Sequence, residues 1–244
     1  MRGVILCGGL GTRLRPMTLL LNKHLCPIGN YPMVLFPLAT LKSMGVTDIM
    51  IITGGNHVGD FAEFLGDGSR YGCSFTYKVQ EKAGGIPQAL ALAEGFVGNN
   101  SVVVILGDNV FETTKGSPFA DDKESATLWV KHVEDASRFG VLMEGSNTIV
   151  EKPTGLTRGN AVTGLYKYPP SVFDFIRTLK PSARGELEIT DVNNFYLGGG
   201  KCNVSYLGDV FWSDCGTPDS LARTTRYFLD NPGALKPLDF ITTV

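Results

Sequence analysis

Cys7-Gly8-Gly9-Leu10-Gly11-Thr12-Arg13-Leu14-Arg15-Pro16 follows directly on the short apolar run Val4-Ile5-Leu6. The run reads as a buried strand, and the three glycines after it cannot extend a core. They supply bare backbone that bends sharply and lets a ligand approach its N–H groups. Thr12 adds a hydroxyl, and Arg13, Arg15 and Lys23 add three cations within eleven residues. Strand, glycine turn and clustered cations together describe a site for a polyanion, most simply the phosphates of a nucleotide.

Two glycine motifs fail against this loop. A P-loop needs G-x-x-x-x-G-K-[ST], and the chain contains no Gly-Lys-Ser/Thr. A dinucleotide fingerprint needs G-x-G-x-x-G. Gly9 and Gly11 begin one, but Leu14 stands where the third glycine belongs. The acidic residue expected about 20 positions on is replaced by Gly29-Asn30-Tyr31-Pro32-Met33.

Outward from the loop, Asp48 to Thr53, Ser74 to Val79 and Ser101 to Leu106 read as further strands. Between them the pattern predicts helices before Gly45, over Val58 to Leu65, and over Gln88 to Phe96 with Pro87 at the start. Pro37 requires the first of these to begin late or kink. Strands buried on both faces and alternating with helices imply an α/β chain with a mostly parallel central sheet. Ligands in such sheets sit beyond the carboxyl ends of the strands. The glycine loop, Gln80 and Gly107-Asp108-Asn109 are therefore expected on one rim. The second half predicts strands over Ala126 to His132, Gly140 to Glu144, Thr148 to Val150 and Ala161 to Tyr168, partly hairpin-like. Helices over Ser171 to Leu179 and Ile189 to Leu197, strands over Cys202 to Leu207 and Val210 to Ser213, and a helix from Pro218 to Leu229 precede a punctuated tail.

At 244 residues, 43% hydrophobic and 19% charged, the chain has the length and composition of one globular domain. A net charge of −2 argues against a general nucleic-acid binder. No apolar run approaches the ~18 residues of a membrane span, and the immediate strand leaves no room for a signal peptide. Five scattered cysteines without C-x-x-C favour reduced thiols in a cytoplasm. His24, His57 and His132 lack metal-ligand spacing and read as solvated or locally bonded.

Asp108 hangs from the end of Val102-Val103-Val104-Ile105-Leu106-Gly107, and Asp214 lies in Trp212-Ser213-Asp214-Cys215-Gly216-Thr217. Each carboxylate alone reads rather as an ordinary turn or N-cap aspartate, but two on one rim beside the glycine–cation loop suit Mg²⁺. Lys152 and Arg184 could clamp a second phosphate, with Glu151 accepting from sugar hydroxyls.

On these residues the chain resembles the sugar-1-phosphate nucleotidylyltransferases over essentially its whole length. The loop Gly8 to Pro16 and the run Lys23 to Ile28 mark the superfamily. Leu106 to Asn109, Phe139 to Val141, Glu151 to Pro153 and Val162 to Tyr166 continue the likeness. The longer run Pro181-Ser182-Ala183-Arg184-Gly185-Glu186-Leu187-Glu188-Ile189-Thr190-Asp191 points to the thymidylyl branch. The resemblance implies a Rossmann-like nucleotidyltransferase fold as a single domain. Residues 1–110 would bind the nucleotide, and a smaller β-rich part, 111–244, the sugar phosphate.

It further implies that Gly8, Gly9, Gly11, Thr12 and Arg13 hold the triphosphate of dTTP, and that Lys23 helps neutralise it. Gln80 and Gly85 would face the thymine. Asp108, on the nucleotide side, and Asp214 would bind Mg²⁺. Gly140, Glu151 and Val162 would line the sugar pocket, with Asn109 counted in the same set, while Lys152 and Arg184 hold the phosphate of glucose 1-phosphate. Arg13, Lys23 and Lys152 would carry the catalytic charge. Products would be dTDP-glucose and pyrophosphate, on the way to dTDP-rhamnose or another deoxysugar. Relatives are usually homo-oligomers, so a dimer or tetramer is expected, with neither nucleic acid nor membrane as partner.

Three departures from the family pattern stand out: Cys7 replaces a usual alanine, Pro87 stiffens the base-binding loop, and the chain stops near 244. The last carries the expectation that feedback at a second nucleotide site is weakened. Alternatives remain a uridylyltransferase, since uracil differs from thymine by one methyl, and a non-catalytic sugar-nucleotide sensor. An oxidoreductase is disfavoured by the failed dinucleotide fingerprint.

Overall fold

The computed structural model describes residues 1–112 and 124–234; the end of the punctuated tail, 235–244, lies outside the described residues, as does 113–123. The chain opens with β1 (Arg2–Cys7), the short pair β2 (Pro27–Ile28) and β3 (Tyr31–Pro32), and α1 (Leu35–Ser43). β4 (Asp48–Gly54), α2 (Val58–Leu65) and β5 (Ser74–Gln80) follow, then α3 (Ile86–Ala91), α4 (Glu94–Val97), β6 (Val102–Leu106) and β7 (Asn109–Phe111). Next come β8 (Ala126–Val133), β9 (Gly140–Leu142), β10 (Ile149–Glu151) and β11 (Gly159–Tyr168). The described chain ends with α5 (Val172–Ile176), α6 (Ile189–Gly198), β12 (Cys202–Tyr206), β13 (Trp212–Asp214) and α7 (Pro218–Asp230).

The α/β architecture with a mostly parallel central sheet and flanking helices is as expected. α1 does begin late: Pro37 occupies its first turn, where a missing N–H breaks no helical bond. The helix expected over Gln88 to Phe96 is instead two pieces. Leu92 N–H and Ala93 N–H bond three residues back, to Ala89 and Leu90 carbonyls, and this tightened turn separates α3 from α4. Among the described residues no helix is long and apolar enough to cross a membrane.

The described residues fall into two compact units that interleave along the chain: 1–83 with 105–112 and 210–234, and 84–104 with 124–209. In the first, β1 pairs in parallel with β4, and β4 with β5. The register sets Cys7 opposite Thr53 and Gly54 opposite Gln80, so the glycine loop leaves the sheet at the edge where Gln80 ends β5. β7 pairs antiparallel with β13, with Asp214 opposite Asn109. α7 starts in a capping box between Thr217 and Ser220. It is fixed by stacking of Tyr227 on Phe211 (centroids 3.7 Å apart), a Tyr227 hydroxyl bond to Glu112 (2.7 Å), and Phe228 against Phe36.

The second unit is mostly antiparallel: β11 pairs with β8 and β9, and β9 with β10, while β12 runs parallel to β8. α6 is tied to this sheet by its amides. The Asn194 side chain accepts from Ile149 N–H (2.7 Å) and donates to Ile149 C=O (2.9 Å), and the buried Tyr168 hydroxyl donates to Asn193 (2.5 Å). The Asn194 bonds hold the start of β10 against the middle of α6, and at the strand's other end Glu151 accepts from Thr190 in the first turn of the helix.

Candidate active site

In the first unit the space around the glycines is already filled by neighbouring side chains. A Cβ on Gly8 would lie 2.5 Å from the Gln80 amide oxygen, and one on Gly9 would lie 3.1 Å from Lys23 Cε and 3.2 Å from its Nζ. Gly11 takes a left-handed conformation (φ 63°) and caps the turn Thr12–Leu14, whose buried Leu14 anchors it. Thr18 Oγ1 closes the loop by donating to the Gly11 carbonyl (2.7 Å). A Cβ on Gly216 would be 2.7 Å from an Arg13 guanidinium nitrogen, so Arg13 lies against the start of the α7 approach.

Lys23 reaches Asp108, with Nζ 2.5 Å from Oδ2. Burial alone would raise the Asp108 pKa, but the Lys23 ammonium, aided by hydrogen bonds from Lys23 and Asn109, holds it well below the usual carboxylate range. Asn109 Nδ2 donates to Asp108 Oδ1 (3.1 Å), and the Trp212 indole donates to Asn109 Oδ1 (2.8 Å). Cys215 N–H donates to the Asp108 carbonyl (2.8 Å), which ties the two aspartate-bearing segments together. Trp212 is the residue that sequence reasoning missed. Its position two before Asp214, on the same strand face, was the available signal.

Asp108 and Asp214 offer hard oxygen donors alone, a set suited to Mg²⁺ with waters and substrate phosphates completing the shell. Among the described residues no group of three or more His, Cys, Asp or Glu side chains forms a fuller metal cage. The donor set therefore fits a cation that arrives with an anionic substrate.

Behind this cluster His24 is buried, its ring Nδ1 2.6 Å from Asn22 Oδ1. Burial first, and the adjacent Lys23 second, push it down to about 3 from 6.5. The unfolded chain thus binds a proton there that the folded chain does not, and stability falls as pH is lowered through that window. The expected slope is at most about 1.4 kcal/mol per pH unit. Melting temperatures at pH 7 and pH 5 check this, with His24→Asn expected to show a smaller difference than the wild type.

The second unit holds a separate cluster. Glu151 Oε2 accepts from Thr190 Oγ1 (2.7 Å), while its Oε1 lies 3.5 Å from Lys152 Nζ and 3.4 Å from Arg184. Arg184 also pairs with Glu188 (2.7 Å), which accepts from Ser182 Oγ (2.6 Å). Burial works to raise the Glu188 pKa, and the bonds from Arg184 and Ser182 outweigh it, leaving the group ionised more readily than usual. A Cβ on Gly140 would sit 3.2 Å from Thr190 Oγ1 and 3.3 Å from Glu151 Oε2, so the glycine opens room beside the carboxylate. Val162 is buried on β11, opposite Val130. Lys152 has φ 47°, the one left-handed non-glycine residue among those described.

Gly85 also belongs to this unit. Its φ is 95°, and a Cβ would fall 2.1 Å from the Leu187 carbonyl oxygen, while Leu187 N–H donates to Gly84 C=O (2.9 Å). Gly85→Ala is expected to cost about 3 kcal/mol, from backbone clash and strain together. Gly95→Ala, in α4 with nothing within 4 Å of the added carbon, should instead be neutral or stabilising by up to about 1 kcal/mol. Urea midpoints of the two variants separate these outcomes.

The expected rim is thus present within the first unit: the glycine loop, Arg13, Lys23, Gln80, Asp108, Asn109 and Asp214. Gly85, Gly140, Glu151, Lys152, Val162 and Arg184 belong to the second. Glycine backbone and cations gathered beside acidic side chains are equipment suited to phosphoryl and nucleotidyl group transfer. Comparison with protein families leads to the same class: residues 2–231 match the nucleotidyl transferase family, to which the chain belongs. Among curated relatives, the glucose-1-phosphate thymidylyltransferase of Neisseria meningitidis serogroup A is 42% identical over 238 residues, covering 93% of this chain and 82% of the relative. That of an Actinoplanes species is 38% identical over 235 residues, with 93% and 78% covered. A Bacillus anthracis structure provisionally given the same enzyme name, and holding a sucrose, superposes with TM-score 0.87 at 49% identity over 93% of this chain and 94% of that one. A UDP-glucose pyrophosphorylase structure, 22% identical with TM-score 0.80, shares the fold.

Proposed function

We propose that the protein transfers a thymidylyl group from dTTP to glucose 1-phosphate, giving dTDP-glucose and pyrophosphate. The observation that carries this is the Lys23–Asp108 pair set across the Gly9–Gly11 backbone, in a chain 42% identical to an enzyme of that name. Gly8, Gly9, Gly11, Thr12 and Arg13 would hold the triphosphate through backbone N–H groups and the guanidinium, with Lys23 neutralising it. Gln80 and Gly85 would orient the base. Lys152 and Arg184 would hold the sugar phosphate, while Glu151 accepts from sugar hydroxyls.

Both substrates are polyanions, so neutralising charge and aligning the reacting atoms are the main tasks. A phosphate oxygen of glucose 1-phosphate attacks the α-phosphorus of dTTP in line; the bond to the bridging oxygen of the β-phosphate breaks, and pyrophosphate leaves. No protein nucleophile is required. Mg²⁺, which Asp108 and Asp214 would hold, supplies Lewis-acid stabilisation of phosphate oxygens. Five free thiols suit a reducing compartment such as the cytoplasm.

The test is product chemistry in both directions. Incubation with both substrates should yield dTDP-glucose on anion-exchange chromatography, and dTDP-glucose with pyrophosphate should return dTTP. Breakdown of dTTP that ignores glucose 1-phosphate would overturn the assignment.

A further inference from the structure

We propose that His24, locked by Asn22, is a positioning residue that sets Lys23 and Asp108 against each other. The inference rests on the reading of Lys23 as a phosphate-neutralising cation. Asn22, Lys23 and His24 are consecutive, yet the outer two turn inward, 5% and 2% exposed, while Lys23 is thrown toward the glycine loop. The turn Lys23–Leu25 is too short to hold its own shape, and Asn22 caps it. One amide oxygen of Asn22 accepts two hydrogen bonds from His24, from the backbone N–H (3.0 Å) and from the ring Nδ1 (2.6 Å).

That double acceptance settles two orientations at once. The shared atom must be the amide oxygen, so the Asn22 NH₂ faces the Cys7 carbonyl (3.4 Å), at the last residue before the glycine loop. The imidazole must carry a hydrogen on Nδ1 to donate to that oxygen. The His24 carbonyl accepts from Val34 N–H (2.8 Å), which stitches the turn to the chain entering α1.

The opposite edge of the ring lies against Gly107. A Cβ there would be 2.7 Å from His24 Cδ2, and 2.6 Å from Cys7 Sγ. Gly107 directly precedes Asp108 and is itself pinned by its N–H to the Leu6 carbonyl (2.9 Å). One imidazole is therefore the covalent neighbour of Lys23 and the packing neighbour of the residue that carries Asp108. A cation in its place would repel Lys23, so the ring serves as a neutral wedge. A histidine that only filled volume would need neither the fixed tautomer nor the second contact.

The discriminating experiment is a double-mutant cycle of Lys23→Met and His24→Leu, read as dTTP affinity by calorimetry and as steady-state constants for each substrate. His24→Leu should weaken dTTP binding and kcat/KM for dTTP by about 10- to 100-fold, the scale of a displaced positioning contact. The KM for glucose 1-phosphate should move less than about threefold. In the Lys23→Met background the same change should cost less than about twofold, because the group it positions is gone. His24→Asn, which keeps a donor near the Nδ1 position, should recover most of the loss. If His24→Leu does not fold, Asn22→Ser, which retains a backbone cap but does not reach the ring, takes its place in the cycle.

Equal losses in both backgrounds, or no recovery in His24→Asn at unchanged melting temperature, would overturn the inference. Wild-type dTTP affinity in Lys23→Met alone would instead remove the reading of Lys23 on which it stands, and the two failures are told apart by that single variant.

Discussion

Asp108→Asn is expected to lower kcat by about 100- to 1,000-fold, the range lost when one element of a preorganised charge-stabilising site is removed. It should also destabilise the fold. The Lys23 and Asp108 side chains are 14% and 12% exposed, and removing one partner of a buried pair leaves the other charge uncompensated, at about 3–5 kcal/mol. The two effects separate in the double variant Asp108→Asn with Lys23→Met. Stability should largely return, because the stranded cation is gone, while kcat stays low. Chemical denaturation beside steady-state kinetics gives both readouts. A single variant within about tenfold of wild-type kcat would contradict the placement of Asp108 in the chemistry.

Lys152 gives the second large effect, through a conflict between stability and function. Its φ of 47° costs a residue with a Cβ about 1–2 kcal/mol. Lys152→Gly should therefore match or exceed the wild type in stability by about 1 kcal/mol. It should nonetheless raise KM for glucose 1-phosphate by about 10- to 100-fold, the equivalent of one charge-assisted hydrogen bond to a phosphate. KM for dTTP should move less than about threefold. Lys152→Ala should show the same loss of affinity without the gain in stability, since alanine keeps the strain. Equal loss for both substrates would contradict this division of labour. A strained lysine in a cluster with Glu151 and Arg184 is what a site held in place by its surroundings looks like.

Much of this arrangement is legible in the residues. Val4-Ile5-Leu6 running into Gly8-Gly9 announces a buried strand and a ligand-facing turn, because neither feature depends on distant partners. α2 over Val58–Leu65 follows from local periodicity alone. β7 is different: three residues are too few for a pattern, and its pairing with β13 joins Asn109 to Asp214 across more than a hundred positions. The break between α3 and α4 is likewise invisible in Gln88 to Phe96. The interleaving of two units is not a local property either, since nothing near Val210 states that this segment returns to the β1–β4–β5 unit.

For the site, residue types exposed the cations and carboxylates but not what holds them. Asn22 preceding His24 by two is a local bonding pattern, and a locally bonded histidine is what the sequence suggests; its burial against Gly107 depends on β1 and β6 meeting at Leu6 and Gly107. Trp212 reads as core until its indole is seen on Asn109. The discrimination of thymine from uracil stays outside residue types for a physical reason: one methyl in an apolar pocket is worth only ~1–3 kcal/mol.

The most direct measurement is pyrophosphate release from glucose 1-phosphate with dTTP or UTP in turn, with Mg²⁺ and with a chelator. The expected result is turnover that requires both substrates, falls to background with chelator, and favours dTTP by about 10- to 200-fold. Nucleotide binding without pyrophosphate release under any of these conditions would contradict it, and would make the chain a sugar-nucleotide sensor.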